Sequence, residues 1–165
     1  MIRIVRLTPA DAERYRAVRL EGLRGDPSGF RYSEAEDERI EASSWSARLA
    51  REFVVGAEQD GELVGVGGFS RFAGEKLDHK GLIWGMYVRP HARGTGAADA
   101  IMRALIAHAR ERVRQLQLTV LADNARARAF YERHGFEHYA TEPEAVRRGD
   151  AYVDEALMWL SFAAR

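Results

Sequence analysis

The stretch MYVRPHARGTGAADAIM, residues 86–102, decides how the middle of this chain folds. An apolar run leads into Arg93-Gly94-Thr95-Gly96-Ala97-Ala98, and apolar residues at helical spacing follow. This pattern predicts a strand, a tight loop and an amphipathic helix. The first amides of such a helix have no intrahelical acceptor, and the helix dipole places partial positive charge beside them. The loop is therefore either a tight turn without a ligand or a site for phosphate groups.

Two familiar kinds of phosphate-binding loop do not fit this stretch. A Walker loop ends in Gly-Lys followed by Ser or Thr, and no such triplet is present. The dinucleotide-binding fingerprint needs a third glycine at position 99, which is Asp99. Arg89, His91 and Arg93 add positive charge around the loop, so a phosphate-containing ligand of another kind stays open.

Outward from the loop, strand-like and helical patterns follow one another. The N-terminal part predicts a strand at 2–7, a helix that Thr8, Pro9 and Asp11 open and that fades near 25–27, a loop with helical turns at 28–42, and a short helix at 43–50. Two strands at 53–58 and 62–72 follow, joined through Gln59-Asp60-Gly61. The remaining elements are a strand at 81–88, a helix over 98–109, a strand at 116–122, a helix that Asn124 caps and Gly135 closes, and a last strand at 151–162.

This order of elements predicts the fold class. Antiparallel strands come first, and alternating strands and helices come later, which indicates an α/β (α+β mixed) fold with helices on a mixed central sheet. No repeat, low-complexity tract or linker interrupts residues 1–165. A single domain over 1–165 is expected, because a chain of this length can bury one sizeable core.

The composition excludes several classes of protein. The 25 basic and 25 acidic residues balance, so no global field attracts nucleic acid or an anionic membrane. The absence of cysteine excludes disulfides, thiolate metal sites and an acyl-cysteine intermediate. Of the five histidines, His134 and His138 alone have ligand-like spacing, and they flank a predicted helix end, so no metal is expected. The N-terminal segment is neither a signal peptide nor a membrane span, which favours a cytoplasmic protein.

Two motifs resemble those of one enzyme superfamily. Arg93-x-x-Gly96-x-Ala98 fits the Gln/Arg-x-x-Gly-x-Gly/Ala signature of the GNAT-type N-acetyltransferases, at the place where that superfamily has it. The segment DNARARAFYERHGF, residues 123–136, is similar to their Asn-x-x-Ala-x-x-Phe-Tyr-x-x-x-Gly-Phe segment. The resemblance runs from about residue 53 onward. It implies a GNAT-like, mostly antiparallel central sheet, splayed at the cofactor site and flanked by helices.

The resemblance implies acetyl-CoA as cosubstrate. Its pyrophosphate would lie on the loop amides, and its pantetheine would pair with the strand before the loop. Gly85 interrupts that strand, which by itself suggests a bulge or a close backbone approach. In this family such a bulge frees an amide to polarise the thioester carbonyl, so Met86 and Val88 are implied as catalytic oxyanion donors. The implied coenzyme-binding residues are Met86, Tyr87, Val88, Arg93, Gly94, Thr95, Gly96, Ala97, Ala98, Asn124, Phe130 and Tyr131.

Tyr131 matches the general acid of the family, and its phenol would protonate the departing thiolate. Its spacing from Ala127 and His134 equally suits a tyrosine packed in the core. Asn124 is a helix cap by position, and by resemblance its amide also binds pantetheine. The two roles of Asn124 are compatible.

The general base is not assigned. Many relatives carry a glutamate on the strand before the loop, but GLIWGMYV contains no carboxylate. The candidates elsewhere are Asp78 and His79 just upstream of the strand, Glu34 in the presumed acceptor-side loop, and Asp154 and Glu155 on the last strand. Alternation puts Asp154 and Glu155 on opposite faces of that strand. A chain of water molecules that ends at a backbone carbonyl or a side chain is an equal candidate for removing the proton of the amine.

The leading hypothesis is a cytoplasmic acetyl-CoA-dependent N-acetyltransferase that transfers the acetyl group directly to a primary amine of a small molecule or a peptide. The alternative is a non-catalytic acyl-CoA-binding sensor that regulates a partner, which the unassigned base keeps open. A nucleic-acid partner is not expected, because the arginines are dispersed among acids, and neither is a membrane. Phe30, Tyr32 and Trp45 are candidates for the acceptor side. The resemblance alone suggests a homodimer.

Overall fold

The computed structural model describes residues 1–26, 30 and 32–163. In these residues the strands are β1 (Arg3–Arg6), β2 (Phe53–Gln59), β3 (Glu62–Arg71), β4 (Lys80–Val88), β5 (Gln115–Leu121), β6 (Glu137–Arg148) and β7 (Ala151–Ser161). The α-helices are α1 (Ala12–Gly25), α2 (Glu34–Glu38), α3 (Ala42–Arg51), α4 (Ala97–Arg110) and α5 (Ala125–Arg133). The sequence predicts a helix end near 25–27 and a loop at 28–42. Residues 27–29 and 31 of these two stretches lie outside the described residues.

The strands form a mixed sheet with the hydrogen-bonded order β1-β2-β3-β4-β5-β7-β6. The pairs β1/β2, β2/β3, β5/β7 and β6/β7 are antiparallel, whereas β4 and β5 are parallel. The parallel ladder joins Lys80–Leu82 to Gln115–Gln117. The predicted mixed, mostly antiparallel sheet with flanking helices is confirmed.

The chain divides into two compact units. The first contains Met1–Ser70 and Ile83–His108, and the second contains Arg71–Leu82 and Ala109–Arg165. The division therefore falls inside β4, directly after the residues that pair with β5. A single domain over 1–165 stays a prediction.

In the first unit, the turn between β2 and β3 fixes the register of a hairpin. Asp60 and Gly61 have φ angles of 52° and 84° and connect Gln59 to its partner Glu62. Two consecutive residues with positive φ are the requirement of a type I′ turn, whose twist matches that of the strands. The Asp-Gly signal in the sequence therefore predicted this hairpin correctly.

The two faces of β3 are covered by different helices. A Cβ at Gly67 would lie 2.5 Å from Met86 Sδ and 2.7 Å from an Ile101 methyl of α4. At the next residue, Gly68, a Cβ would lie 2.5 Å from the Trp84 ring. Because successive residues of a strand point to opposite faces, α4 lies on one face and Trp84 on the other. The glycines let β4 side chains approach the β3 backbone closely.

Helices α1 and α3 cover the Trp84 face. Tyr15 of α1 and Trp45 of α3 are each 1% exposed, and their rings meet edge to face with centroids 5.7 Å apart. Tyr87 of β4 belongs to the same buried cluster, and Trp84 packs against it. This core places β4 under both helices, as the apolar run 81–88 predicts.

In the second unit, both ends of α5 have the caps that the sequence predicts. Asn124 Oδ1 accepts a hydrogen bond from Ala127 N at 3.1 Å, which satisfies one amide of the first turn. Gly135 has a φ of 90°, and Phe136 N donates to Tyr131 O at 3.1 Å. A glycine in the left-handed region with such a bond ends a helix without steric cost.

Sequence patterning missed one strand, β6. Its residues are mostly exposed on both faces, so they show no alternation of apolar and polar side chains. It also contains Pro143, Glu144 has a φ of 51°, and the register with β7 shifts between Glu142 and Val146. β6 is the last strand in the order of the sheet, and an edge strand tolerates a proline and a bulge.

A buried carboxylate joins α1 to the edge of the sheet in the first unit. Glu58 of β2 is 7% exposed, and its Oε1 accepts a hydrogen bond from Arg14 Nη1 at 2.6 Å. Its Oε2 accepts a hydrogen bond from Arg3 of β1. The bonds from Arg14 and then Arg3 lower the pKa of Glu58 below 4.5, although desolvation acts in the opposite direction.

This lowered pKa makes part of the stability depend on pH. Ionised Glu58 contributes fully above 4.5, the value of an unfolded glutamate, and its contribution is lost as the pH falls through the lower folded pKa. We expect Glu58→Gln to reduce the free energy of unfolding at pH 7, with a difference from the wild type that shrinks below pH 4.5. Urea unfolding from pH 7 to pH 3 measures this difference. Glu75→Gln, at an exposed position, is the control, and a difference independent of pH would contradict the assignment.

Candidate functional site

The glycine loop is an ordered connection between β4 and α4. A 3-10 turn at Pro90–Ala92 follows β4, and Arg93 N donates to Pro90 O at 3.2 Å. Thr95 Oγ1 then donates to Ala92 O at 2.6 Å. Gly94 and Gly96 have φ angles of 80° and 90°, and open space lies where a Cβ would stand. Both glycines are thus required by backbone conformation, and a ligand can approach the backbone closely at this point.

The loop leads into the N-terminus of α4. Ala100 N donates to Gly96 O at 2.9 Å, which begins the hydrogen-bond ladder of the helix. The amides before Ala100, including those of Ala97 and Ala98, precede this ladder and lie at the positive end of the helix dipole. Asp99 in the first turn complements the same dipole. The predicted loop of small residues before a helix is present, and the helix has 14 residues. Phosphate binding at this place stays a prediction.

The basic residues around the loop are engaged with protein groups. Arg93 Nε donates to Val88 O at 3.2 Å, and its Nη2 lies 3.8 Å from Asp26 Oδ2. Arg89 Nε lies 3.0 Å from a carboxylate oxygen of Glu21, and Arg89 also pairs with Glu62. His91 Nε2 is 3.2 Å from the same Glu62 carboxylate. The attraction for an anion therefore comes chiefly from the backbone of the loop and of α4.

The strand before the loop contains the bulge that its glycine predicts. Trp84 and Tyr87 are three residues apart, yet both face the core under α1 and α3. Met86 and Val88 instead share the other face with α4. Regular alternation does not permit this arrangement, so the strand slips by one residue at Gly85, whose φ of 64° departs from strand geometry. The predicted oxyanion donors Met86 and Val88 come directly after this slip.

A buried ion pair covers the bulge. A Cβ at Gly85 would lie 3.1 Å from Nη1 of Arg19 on α1. Arg19 Nε donates to Asp37 Oδ2 on α2, and the two residues are 6% and 3% exposed. The Phe30 ring lies 5.4 Å from Arg19 Cζ and 6.3 Å from the ring of Tyr87. Arg19 and Asp37 lie beside the predicted oxyanion strand, and sequence reasoning did not single them out.

The predicted acceptor-side aromatics differ in their surroundings. Phe30 lies beside Arg19 and Tyr87, next to the bulge. Trp45 is buried against Tyr15 and is part of the core, whereas Tyr32 is 59% exposed. Phe30 thus lies next to the bulge, Trp45 in the core and Tyr32 at the surface.

In the second unit, α5 brings together the remaining predicted residues. Tyr131 lies between two phenylalanine rings, with centroids 5.4 Å from Phe130 and 6.0 Å from Phe136. Although the side chain is partly exposed, burial around its hydroxyl raises the pKa of Tyr131 to about 12. The phenol therefore keeps its proton at neutral pH and is available as a donor. The cap formed by Asn124 Oδ1 leaves the NH₂ group of that amide outside the bond.

The candidate bases have structural surroundings of their own. Asp154 is exposed, and its Oδ1 accepts a hydrogen bond from Glu144 N at 2.8 Å, whereas Glu155 is only 2% exposed. These two carboxylates thus lie on opposite faces of β7, as alternation predicts. Glu34 pairs with Arg24, and Asp78 pairs with an arginine of β3. These contacts do not identify any of the four carboxylates as the general base.

Among the residues that the structure describes, no three histidine, aspartate or glutamate side chains converge in a way that could hold a metal ion. Within the same residues, no helix has both the length and the apolar composition to cross a membrane.

Comparison with known proteins identifies relatives of this chain. Residues 18–136 match the acetyltransferase (GNAT) family. A segment of 77 residues is 35% identical to L-amino acid N-acetyltransferase AaaT of Escherichia coli (strain K12) and covers 46% of this chain and 48% of that protein. This chain therefore spans about half the length of that curated relative.

Solved structures share the fold. The protein yncA of Salmonella typhimurium, solved with its cofactor acetyl-CoA, has a TM-score of 0.85 and 17% identity, with 99% of this chain and 95% of that chain covered. The ribosomal-protein-alanine N-acetyltransferase of Brucella melitensis has a TM-score of 0.79 and 23% identity, with 96% and 99% covered. At these identities the likeness concerns the fold alone.

The slip in β4 is open to a direct test with two alanine variants. Gly61→Ala places a Cβ at positive φ in open space, so we expect a loss of about 1–2 kcal/mol of unfolding free energy. Gly85→Ala has the same backbone cost and also presses on Arg19, which Asp37 holds in place, so its loss should be larger. Urea unfolding of both variants measures the difference. Equal losses would contradict a fixed position of Arg19 over the bulge.

Proposed function

Because this chain belongs to the GNAT family of acetyltransferases, we propose that it transfers an acetyl group from acetyl-CoA directly to a primary amine of a small molecule or a peptide. The ordered glycine loop at the N-terminus of α4 is the observation that carries this proposal. The amine acceptor is supported by the match to AaaT, whose name describes an L-amino acid N-acetyltransferase. The coenzyme is supported by yncA, a protein of the same fold solved with acetyl-CoA.

The loop and the helix behind it suit a pyrophosphate. Backbone amides between Arg93 and Ala98 would bind its oxygens, apart from those of Arg93 and Thr95, which donate to Pro90 O and Ala92 O. The two glycines leave room for the close approach. Since the neighbouring arginines are already paired, affinity depends on these amides and on the dipole of α4. Pantetheine would then pair with the backbone of Met86, Tyr87 and Val88 as an added strand, with Asn124, Phe130 and Tyr131 as further contacts.

The bulge supplies the catalytic polarisation. The nitrogen of the acceptor attacks the thioester carbonyl carbon, and negative charge develops on the carbonyl oxygen. Backbone amides of Met86 and Val88, placed after the slip at Gly85, would donate hydrogen bonds to that oxygen. A fixed amide dipole stabilises this charge without reorganisation during the reaction.

Tyr131 would supply the proton that the departing sulfur needs. As the new C–N bond forms and the C–S bond breaks, the thiolate accepts the phenolic proton, and the proton lost by the amine restores the phenol. With a pKa of about 12, the phenol is a weaker acid than a thiol, whose usual pKa is about 8.5. The proton therefore moves together with C–S cleavage.

The proposal is tested by release of coenzyme A thiol with a panel of primary amines. The protein has no cysteine, so it adds no thiol background. We expect turnover above hydrolysis with at least one class of amine, and we expect Tyr131→Phe to lower kcat by about a hundredfold or more. The Kd for acetyl-CoA should stay unchanged, because the substitution removes one hydroxyl.

Tyr139→Phe is the matched control, since Tyr139 is 50% exposed and belongs to β6. The control variant should keep the wild-type rate. If no amine raises thiol release while acetyl-CoA still binds, the chain is a sensor and the transferase proposal fails.

A charge placed at the helix N-terminus tests the pyrophosphate site. Ala98→Glu puts a carboxylate where the dipole of α4 favours it, so the fold should be retained while phosphate binding is opposed. We expect the Kd for acetyl-CoA to rise about tenfold, whereas binding of S-acetylpantetheine, which lacks the pyrophosphate, should hardly change.

Ala107→Glu adds the same charge at an exposed position of the same helix and serves as the control. Titration calorimetry of both ligands with both variants gives the four dissociation constants. An equal loss of affinity for the two ligands in Ala98→Glu would place the pyrophosphate elsewhere.

A further inference from the structure

The first unit contains a cluster of charged and aromatic side chains with more positive than negative charge. We call it the arginine–aromatic cluster; its members are Tyr15, Arg19, Asp37, Trp45, Arg48 and Trp84. Its two guanidinium groups come from α1 and α3, and its carboxylate comes from α2. The aromatic rings belong to α1, α3 and β4.

Arg48 is held between two indole rings. Its Cζ lies 5.1 Å from the ring centroid of Trp45 and 5.7 Å from that of Trp84. Trp84 is itself fixed, because its Nε1 donates to Ser70 Oγ at 2.6 Å. Stacking on aromatic faces suits a guanidinium, which is weakly hydrated and planar. The position of the Arg48 head group is therefore set by packing.

The charges of the cluster do not balance. Asp37 pairs with Arg19, and among the described residues no ion pair joins Arg48 to a carboxylate. Tyr15 contributes no negative charge, since burial raises its pKa although Arg19 and Arg48 act in the opposite direction. Two cations and one anion leave an excess of one positive charge. Arg19 and Asp37 are buried and Arg48 is half-buried, so water solvates the excess charge only in part, which is costly unless an anion joins it.

The excess charge lies beside the bulge of β4. Nη1 of Arg19 is directed at Gly85, and Trp84, which contacts Arg48, is the residue before Gly85. In the proposed reaction the carbonyl of the acetyl group lies at the strand directly after Gly85. A ligand anion bound by the cluster would therefore be close to the amine that attacks.

We propose that the acceptor is an α-amino acid, bound through its carboxylate by Arg48 and Arg19 with its amino group at the Gly85 bulge. The inference rests on the proposed function and names the substrate class of that site. A guanidinium fork matches a carboxylate in two parallel hydrogen bonds, and one carbon separates carboxylate and amine in an α-amino acid. Pairing with the carboxylate of the acceptor would neutralise the excess positive charge of the cluster.

The test compares acceptors in which the α-carboxylate is present, converted to an amide, removed, or displaced to the far end of a dipeptide. Each L-amino acid of a panel is assayed by thiol release beside its amino amide, its decarboxylated amine and a dipeptide with the same N-terminal residue. We expect kcat/KM for the preferred amino acid to exceed that of its three analogues by about tenfold to a hundredfold, the range of charge-assisted hydrogen bonds.

Variants of Arg48 assign the preference to the cluster. Arg48→Met should raise KM for the amino acid about tenfold or more and remove the preference, with KM for acetyl-CoA unchanged. Arg48→Lys, which keeps the charge but not the planar fork, should retain part of the preference. Arg6→Met is the matched control, because Arg6 also lies over an aromatic ring of the first unit, that of Phe53, at 4.8 Å.

The possible outcomes distinguish a failure of the carboxylate inference from a failure of the proposed transferase function. Turnover of amides and amines as fast as of amino acids overturns the carboxylate inference and leaves the transferase function standing. Absence of turnover with every acceptor overturns both. A preference for the carboxylate that survives unchanged in Arg48→Met and Arg48→Lys overturns the assignment to the arginine–aromatic cluster.

Discussion

The one-residue slip of β4 at Gly85 is the constraint on which the first unit depends. Without it, Trp84 and Tyr87 could not both pack under α1 and α3 while Met86 and Val88 pack against α4. The slip requires a positive φ, and glycine adopts this angle without steric cost. It also brings the β4 backbone under the Arg19 guanidinium. The packing of both faces and the proposed catalysis thus depend on the same slip in the backbone.

Charge is distributed in two different ways around this feature. At the glycine loop, the basic side chains have carboxylate partners, and backbone amides provide the attraction for an anion. In the acceptor site proposed over the bulge, side chains would provide it, because Arg48 adds a cation that Asp37 does not balance. A backbone site suits a pyrophosphate of fixed shape, whereas a guanidinium site distinguishes acceptors by their charge.

Features that depend on neighbouring residues could be predicted from the sequence. The Asp60-Gly61 turn, the Asn124 cap and the Gly135 helix end each need a residue type at a fixed position, and each is present. The strand β6 could not be predicted, because an exposed edge strand needs no alternation. Arg19 and Asp37 were missed because their pairing spans 18 residues and appears only when α1 and α2 meet. The two family motifs carried the prediction of function because they encode a loop and a helix face.

The raised pKa of Tyr131 has a consequence for the alkaline side of any activity profile. A phenol that titrates near 12 stays protonated throughout the range in which enzymes are ordinarily assayed. Ionisation of Tyr131 would then impose no alkaline limit, and the rising limb would report the amine of the acceptor. In the proposed reaction, the pH dependence of the rate would therefore reflect ionisation of the acceptor amine and not ionisation of Tyr131.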